Sequence, residues 1–199
     1  MIILGLTGSI AMGKSATANI FSSYGIPVFD ADRCVHQLIG LNGKLVPLIA
    51  KKFPSTLEKD KNCRFINRAK LGNIVFNSKK MKRNLENIIH PQIGRERKKW
   101  TEQAVRRRVK IICYDVPLLF ETKGDKAVDE VIVVSAPYFI QRQRALKRKN
   151  MDQKKLNNIL KTQMPDKDKR KRADFVVNTG NGHRFSRNQV KNIIKKLSQ

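Results

Sequence analysis

The stretch Met1-Ile2-Ile3-Leu4-Gly5-Leu6-Thr7-Gly8-Ser9-Ile10-Ala11-Met12-Gly13-Lys14-Ser15 decides how the chain is read. Its first six residues are apolar or glycine, as a strand covered on both faces requires. Residues 8–15 match G-x-x-x-x-G-K-[ST], and a helical pattern runs from Lys14 to about residue 22, stopping near Gly25 and Pro27. Strand, glycine-bounded turn and helix head in that order make an anion cradle. Gly8 and Gly13 let backbone N–H groups face a phosphate with no Cβ in the way. The helix N-terminus adds partial positive charge. Lys14 brings a point charge to the β- and γ-phosphates, and the Ser15 hydroxyl is a hard ligand for Mg²⁺. Met12 is bulky for a loop that wraps a nucleotide, and Ala16 lacks a hydroxyl to help hold an α-phosphate.

Outward from the loop, strand and helix patterns alternate. Pro27-Val28-Phe29-Asp30 reads as a second strand, after which strand character vanishes for about eighty residues. Leu45, Leu48, Ile49 and Phe53 recur at helical spacing, as do Leu71, Ile74 and Val75, then Met81, Leu85, Ile88 and Ile89. His90-Pro91 is expected to interrupt that last helix, because the residue before proline is pushed out of the helical region. Strands return at residues 109–114, 131–134 and 175–177, with helices at about 137–149 and 153–163 and an amphipathic helix at the end. The order is that of an α/β fold with a central parallel five-stranded sheet flanked by helices. The helical block at about 35–105 reads as an insertion at one end of the sheet.

Composition sets the outer bounds. Of 199 residues 40% are hydrophobic, enough for a packed core, and no apolar run reaches the roughly 20 residues that span a bilayer. Residues 1–6 are too short and lack the basic flank of a signal peptide. Three cysteines, Cys34, Cys63 and Cys113, form no Cys-x-x-Cys pair, which fits a reducing cytoplasm better than a disulfide or zinc framework. Lys and Arg number 42 against 16 acidic residues, for a formal charge of +26. That charge favours polyanionic partners: nucleic acid bound weakly and nonspecifically, an acidic surface, or phosphorylated small molecules. Its clusters, at residues 95–110, 142–149 and 161–172, also read as solvated helix faces, and no run of aromatic residues interleaves them as base-stacking platforms would.

Two acidic sites fall at strand ends, where ligands of parallel sheets sit. Asp30-Ala31-Asp32 follows the second strand. If the chain stays extended, Asp30 and Asp32 point the same way, one to take a proton from a substrate hydroxyl and the other to orient it. Either one also suits a helix N-cap. Asp115 is placed for a metal shell or for an ordinary turn before Pro117. An Asn-Lys-x-Asp segment that would read guanine is missing.

At this point the chain resembles the dephospho-CoA kinase family nearly end to end. The resemblance is carried by residues 3–8 leading into the loop and by Val28-Phe29-Asp30-Ala31-Asp32, Leu71-Gly72-Asn73-Ile74-Val75-Phe76 and Leu85-Glu86-Asn87-Ile88-Ile89-His90-Pro91. Asp115-Val116-Pro117-Leu118-Leu119-Phe120-Glu121, Gln163-Met164-Pro165 and Arg172-Ala173-Asp174-Phe175 complete it. It implies a P-loop kinase core at about 1–34, 109–135 and 173–199, a helical CoA-binding region at about 35–108 and a lid at about 136–152. The implied reaction moves the γ-phosphoryl group of ATP, with Mg²⁺, to the ribose 3′-hydroxyl of dephospho-CoA. Gly8, Ala11, Met12, Gly13, Lys14, Ser15 and Ala16 would bind ATP, and Ser15 and Asp115 the metal, Asp115 through water. Asp32 would be the base, Arg144 and Arg148 would close over the transferring group, and His90, Pro91, Leu118 and Leu119 would line the acceptor side. His90 also reads as a satisfied histidine at a helix break. Ser9, Met12 and Ala16 depart from the family's usual residues. A kinase of another nucleoside or nucleotide, and a nucleic-acid module retaining the loop, are the competing readings. A monomer acting in the cytoplasm is expected.

Overall fold

Ile2–Thr7 forms β1 and Lys14–Ser23 forms α1, with the loop between them. The structure, a computed structural model, describes residues 1–198. After α1 come β2 (Val28–Asp30), α2 (Ala31–Ile39), α3 (Val46–Lys52), β3 (Leu57–Asp60), β4 (Cys63–Ile66), α4 (Arg68–Phe76) and α5 (Lys79–Arg106). Then follow β5 (Ile111–Asp115), β6 (Glu130–Ser135), α6 (Tyr138–Leu146), α7 (Gln153–Thr162), α8 (Asp166–Lys171), β7 (Phe175–Asn178) and α9 (His183–Leu197). By its contacts the chain divides into two compact units, one of Met1–Phe29 with the residues from Ala104 onward, the other Asp30–Gln103.

In the first unit a five-stranded parallel sheet runs in the order β2-β5-β1-β6-β7. β1 pairs in parallel with β5, Leu6 opposite Asp115, and with β6, Leu4 opposite Glu130; β6 pairs in parallel with β7. The Cys113 N–H donates to Pro27 O at 2.9 Å and ties β5 to the edge strand. Alternate residues of β6 serve opposite faces. Ile132 and Val134 join Leu4, Leu6, Phe21, Val190 and Ile193 under α1 and α9, while Val131 and Val133 pack with Leu119 and Phe120. Both faces are covered, which is why these strands are apolar without alternation in the sequence.

The second unit carries a structure that the sequence reading missed. β3 and β4 form an antiparallel hairpin, Leu57 opposite Ile66, closed by Lys61-Asn62 with Lys61 at φ 50°. Glu58, Lys59, Asp60 and Arg64 blur the alternation, and only a two-residue loop holding Asn62 signals the turn. Around it α3 buries Leu45, Ile49 and Phe53 as their spacing requires, while Leu48 faces out. The expected break at His90-Pro91 does not occur, because α5 runs through Pro91. Proline removes one N–H from the ladder, but Pro91 and Asn87, whose carbonyl loses that partner, are both exposed, so water can replace it. Among the described residues no helix is long and apolar enough to cross a membrane.

Candidate functional site

The loop's shape follows from its two glycines. A Cβ on Gly8 would lie 2.7 Å from the Val134 carbonyl oxygen, so the chain can turn beside β6 only without a side chain there. This constraint is steric crowding by the protein rather than clearance for a ligand. Gly13 sits at φ 93°, in the left-handed region, and heads α1 with no side-chain cap. The orphan N–H groups of the helix's first turn therefore remain available to an anion.

Lys14 makes an ion pair with Asp115, donating to Oδ1; both side chains are largely buried, at 14% and 3% exposure. The sheet register that sets Leu6 opposite Asp115 brings them together across β1 and β5. Ser15 and Ala16 are exposed at the helix head. Met12 turns its side chain inward. It is 3% exposed, and its sulfur accepts the Ala136 N–H at 3.2 Å. Ala11 adopts φ 61°, and it packs with Ala145 and Leu156.

Side chains distant in sequence hold the loop from outside. Gln163 Oε1 accepts the Ile10 N–H at 3.0 Å, and Gln141 Nε2 donates to Ile10 O at 2.9 Å. The Thr179 hydroxyl donates to Met12 O at 2.7 Å. Arg144, expected to close over the transferring group, clasps Thr179, with Nη1 donating to the hydroxyl at 2.9 Å and Nη2 to the carbonyl at 2.8 Å. Arg148 is exposed. Sequence reasoning had no role for Gln141, Gln163 or Thr179; of these, only Gln163 stood in a motif that drew attention.

Glu121, the last residue of the Asp-x-Pro-Leu-Leu-Phe-Glu segment, accepts the Met164 N–H at 2.8 Å. Lys169, wholly buried, places Nζ 2.9 Å from the same oxygen. The two make a buried ion pair. Burial pushes the Glu121 carboxyl up, but the Lys169 ammonium and the backbone N–H groups together hold it below the usual glutamate range. Leu119, expected to line an acceptor, is 1% exposed and belongs to the core, whereas Leu118 is half-buried. Cys113 is buried in the sheet, and burial pushes its thiol far up.

In the second unit Asp30 ends β2 and caps α2, its Oδ1 accepting the Arg33 N–H at 2.9 Å. The extended Asp30-Ala31-Asp32 reading is thereby corrected. The chain turns helical at Ala31, so the two carboxylates do not share a strand face, and only Asp32, exposed on the first turn, keeps its carboxylate clear of the cap. His90 and Pro91 are exposed on α5. A cavity of about 600 Å³ is lined by His36, Ile39, Leu41, Phe65, Asn67 and Arg68, with Arg68 donating to His36 Nε2.

No cluster of three metal-binding side chains occurs among the described residues. The Ser15 hydroxyl and the Asp115 carboxylate are hard oxygen donors at one helix head and strand end. Such a pair fits Mg²⁺, which takes one or two protein oxygens and completes its shell with water and substrate phosphate.

The sequence profile described as dephospho-CoA kinase matches residues 2–184. A dephospho-CoA kinase from Bartonella quintana is 46% identical over 197 residues, covering 99% of this chain and 98% of the relative. The solved structure of a dephospho-CoA kinase from Campylobacter jejuni is similar at a TM-score of 0.65 and 28% identity, covering 98% of this chain and 96% of that one. A Thermus thermophilus protein of known structure is similar at a TM-score of 0.83 and 26% identity, covering 98% and 97%.

Proposed function

The chain belongs to the dephospho-CoA kinase family, and from its activity as a dephospho-CoA kinase, the final step of coenzyme A synthesis, we propose how its residues divide the work. The phosphates of ATP take the head of α1 and those N–H groups of the loop that Gln163 and Ser9 do not already hold. Lys14 leaves Asp115 and turns to the β- and γ-phosphates as they arrive, exchanging one anionic partner for another without ever being buried unpaired. Magnesium, when bound, neutralises phosphate charge during transfer. Ser15 would hold it directly and Asp115 through water. Asp115 anchors Lys14 and would turn to the metal shell once Lys14 has moved to the phosphates, so the carboxylate would be occupied in both states.

The acceptor is the ribose 3′-hydroxyl of dephospho-CoA, a poor nucleophile at neutral pH. Asp32 takes its proton, a task worth about 10²–10⁴-fold in rate. The cavity beside Phe65 and Arg68 suits an apolar arm or base of the acceptor next to a cation, and His90, Pro91 and Leu118 supply further acceptor contacts. Residues 136–152 act as the lid. Arg148 carries its free charge, and Arg144 reaches the transferring group only by releasing Thr179. Turnover takes place in the cytoplasm, on a monomer.

The observation that carries this reading is the uncapped head of α1, with Gly13 left-handed and Lys14 held in reserve on Asp115. Its test is ADP release from ATP and Mg²⁺ with and without dephospho-CoA, with the product weighed for one added phosphate. Acceptor-dependent ADP and that mass gain are expected. Equal ADP release without acceptor, or transfer to another nucleoside instead, would refute the assignment.

A further inference from the structure

Gln163-Met164-Pro165 and Glu121, at the end of its segment, are among the motif residues with no role in the reaction as described. The structure joins them to Ile10. Its N–H meets Gln163 Oε1 at 3.0 Å and its carbonyl meets Gln141 Nε2 at 2.9 Å, so one residue of the phosphate loop is gripped on both backbone polar groups. Gln141 is 3% exposed, projecting from α6, and Gln163 follows the end of α7. Glu121 holds the backbone of the next residue, Met164, and buried Lys169 holds Glu121 in turn. The brace thus reaches from the segment after β5, through the foot of α7, to the loop.

We infer that Gln141 and Gln163 are positioning residues that hold the phosphate loop in its anion-binding shape before ATP arrives. An empty loop gathers N–H dipoles that point inward and repel one another, so without outside restraint it would open. Amide side chains restrain it without adding charge. A carboxylate in place of Gln163 would accept the same N–H but place negative charge against the incoming phosphates. Preorganisation of this kind is read in ATP affinity, because an opened loop must be reassembled by the nucleotide. The Glu121–Met164 contact places Gln163 and acts only through it.

This inference rests on the ATP site of the proposed function but not on its acceptor, and the experiment separates the two. ATP binding to Gln163→Met, Gln141→Met and the double variant is measured by calorimetry in the absence of acceptor, beside the affinity for dephospho-CoA and the melting temperature. Methionine keeps the length and bulk of the side chain and removes its hydrogen bonds to Ile10. Each single variant should bind ATP about 3–10-fold more weakly, the loss of one neutral hydrogen bond, with KM for ATP rising in step and kcat changing less. Dephospho-CoA affinity should stay as in the parent. ATP affinity within twofold of the parent in both single variants, even with a lowered melting temperature, would overturn the inference. So would an equal weakening toward both substrates, which would mark general damage. A parent protein that binds ATP but fails to phosphorylate dephospho-CoA would sink the function and leave this ATP measurement readable.

Discussion

Asp30 and Asp32 lie two residues apart and do different work. Asp30 spends its carboxylate on the Arg33 N–H, so Asp30→Ala should cost about 1 kcal/mol of stability, the usual worth of an N-cap, with kcat little changed. Asp32 has no such duty, and Asp32→Asn should leave the melting temperature alone while lowering kcat about 10²-fold or more. Urea titration beside steady-state kinetics reads both, and the reverse pattern would exchange the two roles. Asp115 is the other decisive residue. It neutralises Lys14 when no nucleotide is present, so Asp115→Asn should release the lysine. Metal-free ATP should then bind more tightly, while kcat with Mg²⁺ falls about tenfold or more. Calorimetry with and without the metal checks this, and weaker binding of metal-free ATP would show that the pair helps rather than competes. Met12 teaches a related point. A residue that looks obstructive in a motif can turn its side chain inward, where its sulfur accepts a backbone N–H.

Among the elements, α5 is the least expected. Its 28 residues pass through Pro91, which removes a ladder bond from the helix interior. That position is exposed, so Pro91→Ala restores an N–H donor without disturbing a core and should raise stability by about 1–3 kcal/mol. If Pro91 also touches the acceptor, as proposed, KM for dephospho-CoA should rise in the same variant. Thermal melting and acceptor kinetics report the two effects separately, and a lower melting temperature would mean that the proline is needed for the helix's course. The hairpin of β3 and β4 shows the opposite failure of pattern. Its polar residues hide the strand period, and the pairing becomes visible only once Leu57 is found opposite Ile66.

For the molecule as a whole, stability responds to acid through Glu121. Its carboxyl lies below the ordinary value of 4.5 in the folded state. The unfolded chain therefore binds a proton first as pH falls, and the stabilisation is complete above about pH 5 and is lost as pH drops through the lowered folded value. Glu121→Gln should destabilise the protein at pH 7, leaving Lys169 buried without its counter-charge. It should also flatten the acid limb of a stability–pH curve. An unchanged acid limb would remove Glu121 from that account. The +26 charge acts on the same scale through self-repulsion. Screening by salt should raise the melting temperature, most steeply below about 0.1 M.

What the sequence by itself determined is local: apolar strands covered on both faces, the glycine spacing of the phosphate loop, helix periods, and the family that these motifs share. Each is written in contiguous residues, because backbone conformation and burial impose short periods on the side chains that satisfy them. The tertiary structure alone decided which partners meet. Gln141 and Gln163 grip a loop residue 131 and 153 positions away, Lys14 finds Asp115 through a sheet register, and Leu119 goes to the core. A lone glutamine has no period and no spacing to a partner that distant, so its role exists only after the chain has folded and brought two separate surfaces within hydrogen-bond reach.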